Sequence, residues 1–309
     1  MFADEVRQGL SSSPKQLNPA YFYDALGSSL FDAICCLPWY KITQTERRML
    51  GEHAAQIVAD LPDPACLIEL GCGNGEKLAQ LVAALDHSER SAEIHLVDIS
   101  ASALAQTTRL LRRWPLVSVT AHQCFFETGL EQAIAQCGQH GPLLVLFLGS
   151  NIGNFDPSAA GRFLAGVRRS LRVADKLLLG VDLVKGEGDL RLAYDDPLGV
   201  TAAFNKNILL RINRELGGNF NLAAFDHHVI WNATAARVEM HLLARERQHV
   251  LIPGAACEAS FEASEGIWTE SSYKYRPEQL VALAHSSGFK CESQFLDGNE
   301  GFSLNCLVA

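Results

Sequence analysis

Five short apolar runs recur between residues 66 and 183, with a stretch of helical periodicity between most of them. They are CLIEL (66–70), IHLVDI (94–99), VSVTAHQ (117–123), LLVLFLG (143–149) and KLLLGVDL (176–183). Runs of this length, bounded by turn residues, predict strands. Alternation of such strands with helices leaves few folds open and points to a parallel, doubly wound α/β sheet. Strands that read as apolar throughout are expected where helices cover both faces of the sheet. Between them, residues 45–61 carry Leu50, Ala54, Ile57 and Leu61 at helical spacing. NGEKLAQLVAALD returns to that period, and SASALAQTTRLLRRW predicts a helix with Ser100 as its N-cap. PSAAGRFLAGVRRSLR predicts another, with Pro157 near its first turn. In sheets of this kind ligands bind outside the carboxyl ends of the strands.

The pattern changes after about residue 184. VKGEGDLRLAYDDPLGVTAAFNKNILLRINRELGGNF reads as helices without intervening strands, and RVEMHLLARERQHVLIP alternates as antiparallel strands do. Strand–helix character returns with RPEQLVALAHSSGF, CESQFL and FSLNCLV. A second module is therefore expected to be inserted before the last part of the sheet.

Composition removes several function classes. The 309 residues are 48% hydrophobic and 20% charged, ordinary for a soluble globular chain with a sizeable core. A formal charge of −9 gives no electrostatic footprint for a phosphate backbone, so no nucleic-acid partner is expected. Arg109, Arg112 and Arg113 read as the solvated face of a helix. The first residues show no secretory signal pattern, and no apolar stretch is long enough to span a bilayer. The nine cysteines include no C-x-x-C pair and are expected to be reduced and mostly buried, in a cytoplasmic protein. The ten histidines show no ligand spacing, so no metal site is expected.

The most informative local motif is IELGCGNGEK (68–77), with Glu69, Gly71, Gly73 and Gly75 at the end of a strand and the start of a helix. Glycines there let the backbone turn sharply and approach a ligand closely. The spacing is G-x-G-x-G, not the G-x-G-x-x-G of dinucleotide sites, so a nicotinamide oxidoreductase is disfavoured. Asp98, at the end of the next strand, is a carboxylate able to accept both hydroxyl protons of a ribose. Its alternative role is to cap the following helix, for which Ser100 is available.

The pattern E-x-G-x-G-x-G followed by Asp98 resembles the cofactor end of class I S-adenosylmethionine-dependent methyltransferases. The segments YFYDALGSSLFDAICCLPWYKITQTE (21–46), FLGSNIGNFD, LLLGVDLVK, YDDPLGVTAAFNKNILLRINRELG, VEMHL, TESSYKY and FSLNCLVA, in that order, are similar to the histidine-specific Nα-methyltransferase family, whose best-known members make hercynine on the way to ergothioneine. The resemblance spans nearly the whole chain. It implies a Rossmann-like methyltransferase domain (45–183 plus 274–309) that binds S-adenosylmethionine, and an inserted α+β substrate-binding domain (1–44 plus 184–273). It implies a monomer that takes a small amino-acid substrate.

The resemblance also implies roles for particular residues. Gly71, Gly73, Lys77 and Asp98 would hold the methyl donor. Phe126 would wall the adenine, while Phe125 stands where the family carries an aspartate for an adenine hydrogen bond. Asn154 and Tyr194 would hold the substrate carboxylate. Gly149 and Asn151 would line the amine end, with Asn151 in place of the family's usual threonine. Tyr40 would stand between donor and acceptor, touching both, and Tyr40 and Asn154 would be the catalytic pair. Tyr23, Glu270 and Ser272 would read the imidazole, with Met240 beside them. Taken singly, Tyr23 and Tyr40 read as core tyrosines, Met240 as core filler, Glu270 as an ion-pair partner of Lys274 and Asn154 as a helix cap. Their joint occurrence inside ordered motifs favours the site.

The implied reaction is methylation, up to trimethylation, of the α-amine of L-histidine. A same-family enzyme acting on tryptophan or a modified histidine is the alternative, and an S-adenosylmethionine-binding protein without turnover is a further one.

Overall fold

The computed structural model describes residues 2–138, 141–299 and 301–309. The chain divides into two compact units, one of Met1–Tyr40 with Gly186–Tyr273 and one of Lys41–Lys185 with Lys274–Ala309.

The second unit is built on a seven-stranded sheet, in the order Lys290–Asp297, Phe302–Val308, Lys176–Asp182, Leu144–Phe147, Ala65–Leu70, Ala92–Asp98, Val117–Gln123. All six residues of Ala65–Leu70 are buried, between parallel neighbours on both sides. Helix Glu76–His87 buries Leu78, Leu81, Val82 and Leu85, the spacing of one helical face. Each such leucine contributes about 2 kcal/mol of burial free energy. Ser100 caps helix Ala101–Leu111 by accepting from the Ala103 amide, as the sequence predicts. Helix Pro157–Ser170 starts on Asp156, whose carboxylate accepts from the Ala159 amide at 2.8 Å.

Three expectations need correction. The sheet is mixed, because Phe302–Val308 runs antiparallel to both its neighbours. The link from Asp297 to Phe302 is too short for a parallel crossover. The strands are also not apolar throughout, since Val117–Gln123 is an edge strand in which only His122 is buried. With a single strand neighbour it alternates with solvent-facing Ser118, Thr120 and Gln123. Finally, Cys66 and Cys137 are joined in a disulfide, and of the nine cysteines only Cys66, Cys72 and Cys306 are buried. The first residues of Ala65–Leu70 and the end of helix Phe126–Gln136 bring these sulfurs together across 71 residues, a juxtaposition no local pattern announces. A His95 ring nitrogen lies within 4.8 Å of both sulfurs, and this is the one three-ligand group of metal-binding type among the described residues. No helix of the described residues is long and apolar enough to cross a membrane.

The first unit holds a four-stranded sheet in the order Lys15–Gln16, Gly266–Tyr273, Arg237–Ala244, Phe225–Asn232, and a separate hairpin of Gln248–Ile252 with Cys257–Phe261. Helices Phe2–Ser11, Ala25–Cys35, Glu187–Tyr194 and Val200–Leu216 accompany it. Asp24 caps Ala25–Cys35 through the Gly27 amide at 2.7 Å and also takes Asn207 at 2.9 Å and Arg214 at 2.7 Å. One carboxylate thus ties the start of one helix to the side of another. Pairing of Gly266–Tyr273 with Arg237–Ala244 is irregular between Trp268 and Glu270, which leaves Thr269 out of register.

Candidate active site

In the second unit the candidate site is a glycine turn beside a carboxylate cluster. Gly71, Gly73 and Gly75 all have positive φ, and a Cβ at Gly75 would lie 2.6 Å from Thr107. No other residue fits that turn into its helix. Asp98 fixes the turn from the next strand: its Oδ2 accepts from the Gly73 amide at 3.3 Å and its Oδ1 from the Ser100 amide at 2.8 Å. Burial pushes its carboxyl up, and these amide bonds oppose the rise. Asp98 therefore shapes the turn.

Below the turn sits Glu69, fully buried, with no hydrogen-bond partner on either oxygen among the described residues. Desolvation pushes its carboxyl up to about 8; Lys77 opposes this, and Glu46 and Asp98 reinforce it. Glu46 is also fully buried. Its carboxylate accepts the Gly149 amide at 2.9 Å and lies 3.0 Å from the Lys77 ammonium. Glu46 and Glu69, both fully buried, thus lie within the influence of one ammonium. Such an arrangement suits a ligand carrying positive charge, because a buried carboxylate without a counter-charge is costly.

The turn FLGSNIGNF opens with Gly149 at φ +76° and Ser150 at φ +59°. The serine hydroxyl accepts the Asp182 amide at 3.0 Å, which anchors this unusual backbone to the neighbouring strand. Asn151–Asn154 then form a single 3₁₀ turn. The Asn151 amide nitrogen comes within 3.1 Å of where a Gly71 side chain would begin, so the two turns face each other closely. The capping role considered for Asn154 belongs to Asp156. Phe126 lies against Gly71 and stacks edge-on with Phe147 at 5.3 Å, whereas Phe125 is exposed. A Gly149→Ala variant would place a methyl 2.9 Å from the Lys77 nitrogen in a left-handed backbone. We expect a loss of about 1–2 kcal/mol of stability in thermal unfolding and, by calorimetry, weaker binding of the methyl donor that the sequence resemblance implies.

In the first unit the implied substrate residues converge on one sheet face and one aromatic row. Met240 and Glu270 are directly opposed across two strands, and Ser272 follows two residues on, on the same side. Tyr194, from the end of its helix, donates its hydroxyl to the Ser272 hydroxyl at 2.8 Å. Tyr23, Phe31, Tyr40 and Tyr194 form a chain of edge-to-face rings with centroid separations of 5.6, 6.2 and 6.2 Å. Burial pushes the Tyr40 hydroxyl well up, and Tyr194, Cys35, Tyr23 and Glu270 all add to the rise. Tyr40 therefore keeps its proton at neutral pH. Lys274 lies 2.8 Å from Asp182, an ion pair within the second unit.

Each unit gathers its share of the implied residues. Gly71, Gly73, Lys77, Asp98, Phe126, Gly149, Asn151 and Asn154 belong to one, and Tyr23, Tyr40, Tyr194, Met240, Glu270 and Ser272 to the other. Sequence reasoning assigned no role to Glu46, which sits in the motif YKITQTE, nor any to Glu69 beyond its place in the glycine motif. A carboxylate within an otherwise apolar strand was the available signal for Glu69.

The chain matches the family described as histidine-specific methyltransferase, SAM-dependent, over residues 2–309. It is 40% identical over 305 residues to the histidine N-alpha-methyltransferase of Mycolicibacterium smegmatis, covering 98% of this chain and 94% of that one. It is 28% identical to ergothioneine biosynthesis protein 1 of Neurospora crassa, covering 96% of this chain and a 33% share of the longer relative. Among solved structures, a 1,6-didemethyltoxoflavin-N1-methyltransferase from Burkholderia thailandensis aligns with a TM-score of 0.44 at 12% identity, covering 92% of this chain and 88% of that one.

Proposed function

Because the chain belongs to the histidine-specific, S-adenosylmethionine-dependent methyltransferase family, we propose that it methylates the α-amine of L-histidine, three times in succession, to give hercynine. The observation that carries the reading is the pairing of Met240 with Glu270 beside the Tyr194–Ser272 hydrogen bond, all within one unit. A carboxylate next to a thioether suits a flat ring with a polar edge, which describes imidazole.

S-adenosylmethionine supplies an electrophilic methyl on a sulfonium. The glycine turn gives close backbone approach to it, and Asp98 would accept its ribose hydroxyls. Phe126 would face the adenine. The buried Glu69 carboxyl, which a neighbouring cation would ionise, matches a donor whose net charge is positive. In this reading Glu69 meets the donor's positive charge and Lys77 its carboxylate, with Glu46 holding Lys77 and Gly149 in place.

Methyl transfer is an in-line displacement, so the main task is alignment of the amine lone pair. Asn154 would grip the substrate carboxylate, joined by Tyr194 once its hydroxyl turns from Ser272 to the ligand, and Gly149 and Asn151 would leave room at the amine. Glu270 accepts an imidazole N–H, while Tyr23 and Ser272 fix the ring. Tyr40, protonated at neutral pH, offers the amine a hydroxyl; it is not a phenolate base. The amine, largely protonated in solution, therefore loses its proton to water. The lack of a side chain at Gly149 would leave space for each more substituted nitrogen, in keeping with trimethylation. The reading places the reaction in the cytoplasm, on a monomer.

A turnover panel tests it. Purified protein is given S-adenosylmethionine and each of the twenty common amino acids separately, and release of S-adenosylhomocysteine is followed. Histidine alone is expected to support rapid release. Preference for tryptophan would overturn the reading of Glu270, and tight donor binding without turnover on any amino acid would overturn the proposed activity.

A further inference from the structure

A partly buried polar network joins residues of the first unit, and two backbone carbonyls determine its protonation. Asn205, fully buried on helix Val200–Leu216, points its side-chain nitrogen at the His241 carbonyl at 3.1 Å. A carbonyl only accepts, so that end of the amide is NH₂. The same nitrogen lies 2.8 Å from His227 Nδ1, which must therefore be the unprotonated acceptor. The other ring nitrogen, Nε2, lies 2.8 Å from the Tyr194 carbonyl and must be the donor. The amide oxygen of Asn205 accepts from the Thr269 hydroxyl at 2.7 Å, a hydroxyl that also lies 2.9 Å from the Met240 carbonyl.

Each end of this chain holds a residue of the candidate site. Tyr194 is the last residue of helix Glu187–Tyr194, so its carbonyl has no partner within the helix, and the histidine donor supplies one. Thr269 is the residue left out of register at the strand irregularity, directly before Glu270. Resting on the histidine-methylating reading above, we infer that His227, neutral and carrying its proton on Nε2, is a positioning residue for the amino-acid substrate. It acts through the Tyr194 backbone at one end and, through Asn205 and Thr269, through the backbone at Met240 and Glu270 at the other.

The environment agrees with a neutral ring. Burial pushes His227 below the ordinary histidine range, with its neighbour His228 adding to the fall. The Tyr194 carbonyl, Asp195 and Asp196 oppose it without reversing it. A second proton would set Nδ1–H against the Asn205 NH₂, donor against donor. The network also explains why polar Asn205 and Thr269 stand at fully buried positions where aliphatic residues would otherwise pack.

Two measurements on the full chain test this. The first compares His227→Leu with His227→Gln, whose side-chain amide retains a donor for the Tyr194 carbonyl. His227→Leu is expected to raise KM for histidine about tenfold, the loss of one part-buried hydrogen bond, with the donor Kd within about twofold of the parent. His227→Gln is expected to recover most of that loss. The second is nitrogen NMR of the parent labelled with ¹⁵N-histidine, in which His227 should show a bare Nδ1 and a protonated Nε2 at neutral pH. An Nδ1–H tautomer would overturn the inference even if the leucine variant failed to fold. So would an active parent whose leucine variant keeps the same KM for histidine. A parent that turns over no histidine at all would instead overturn the proposed function, and the NMR result would still decide the state of the ring.

Discussion

Glu69→Gln is expected to weaken binding of S-adenosylmethionine at least tenfold while making the ligand-free protein more stable at alkaline pH. The two effects have one cause. Glu69 is buried beneath the glycine turn with neither oxygen hydrogen-bonded among the described residues, and its carboxyl is pushed up to about 8. Without ligand the group is mostly protonated at pH 7. The unfolded chain releases that proton near 4.5, the ordinary value, so between about 4.5 and 8 the folded state binds more protons than the unfolded one. Stability contributed by this group therefore falls as pH rises through that window, by an amount on the order of a few kcal/mol. Glutamine removes the decline. The difference in unfolding free energy between variant and parent should thus widen from pH 5 to pH 8 and then level off. A cation arriving beside Glu69 reverses the preference and favours the carboxylate. Donor binding should accordingly release a proton in the parent at pH 7 and none from this position in the variant. Calorimetry in buffers of different ionisation enthalpy reads this directly. Equal donor affinity in parent and variant would remove Glu69 from the cofactor site.

Glu270→Gln is expected to lower kcat/KM for histidine by ten- to a hundredfold, with donor affinity unchanged. A charge-assisted hydrogen bond to an imidazole N–H contributes about 1.5–3 kcal/mol, and a glutamine keeps the shape but loses the charge. Donor affinity should not move, because the role proposed for Glu270 is toward the imidazole and not toward the donor. The discrimination should narrow at the same time. Analogues lacking the N–H forfeit the charge-assisted bond to the parent's carboxylate, whereas the variant has only a weaker, neutral bond to lose. Steady-state kinetics with histidine and with a ring-modified analogue measure both changes. A Glu270→Gln enzyme with the parent's preference would show that imidazole is recognised elsewhere.

The parts of the fold most legible in the sequence were those set by local pattern. Buried strands such as Ala65–Leu70 announce themselves because both faces are apolar, and Ser100 marks its helix start because a serine there has one strong local use. The edge position of Val117–Gln123 was less visible, since three apolar residues in alternation suit either an edge or an interior strand until its neighbours are known. The Cys66–Cys137 bond was not legible, because it depends on where a strand begins and a distant helix ends.

The site followed the same division. The glycine turn and Asp98 could be read from spacing, and the amino-acid residues only from their membership in ordered motifs. What the sequence did not disclose is how these residues are held. Glu46 joins Lys77 to the Gly149 amide across 31 and 103 positions of chain. His227 reaches Tyr194 across 33, and Asn205 reaches His227 across 22. Such bonds cross between elements and leave no periodic trace. A buried glutamate or asparagine in an apolar segment is the sign that one exists, without naming its partner.

The central claim is that the methyl groups go to the α-nitrogen of histidine. The most direct measurement is carbon–nitrogen correlated NMR of the product made from ¹⁵N-labelled L-histidine and S-adenosylmethionine carrying a ¹³C methyl. The expected spectrum has equivalent labelled methyls on a quaternary α-nitrogen, with both imidazole nitrogens unmodified. Label on an imidazole nitrogen would contradict the account, because it would place the ring, not the α-amine, against the methyl donor.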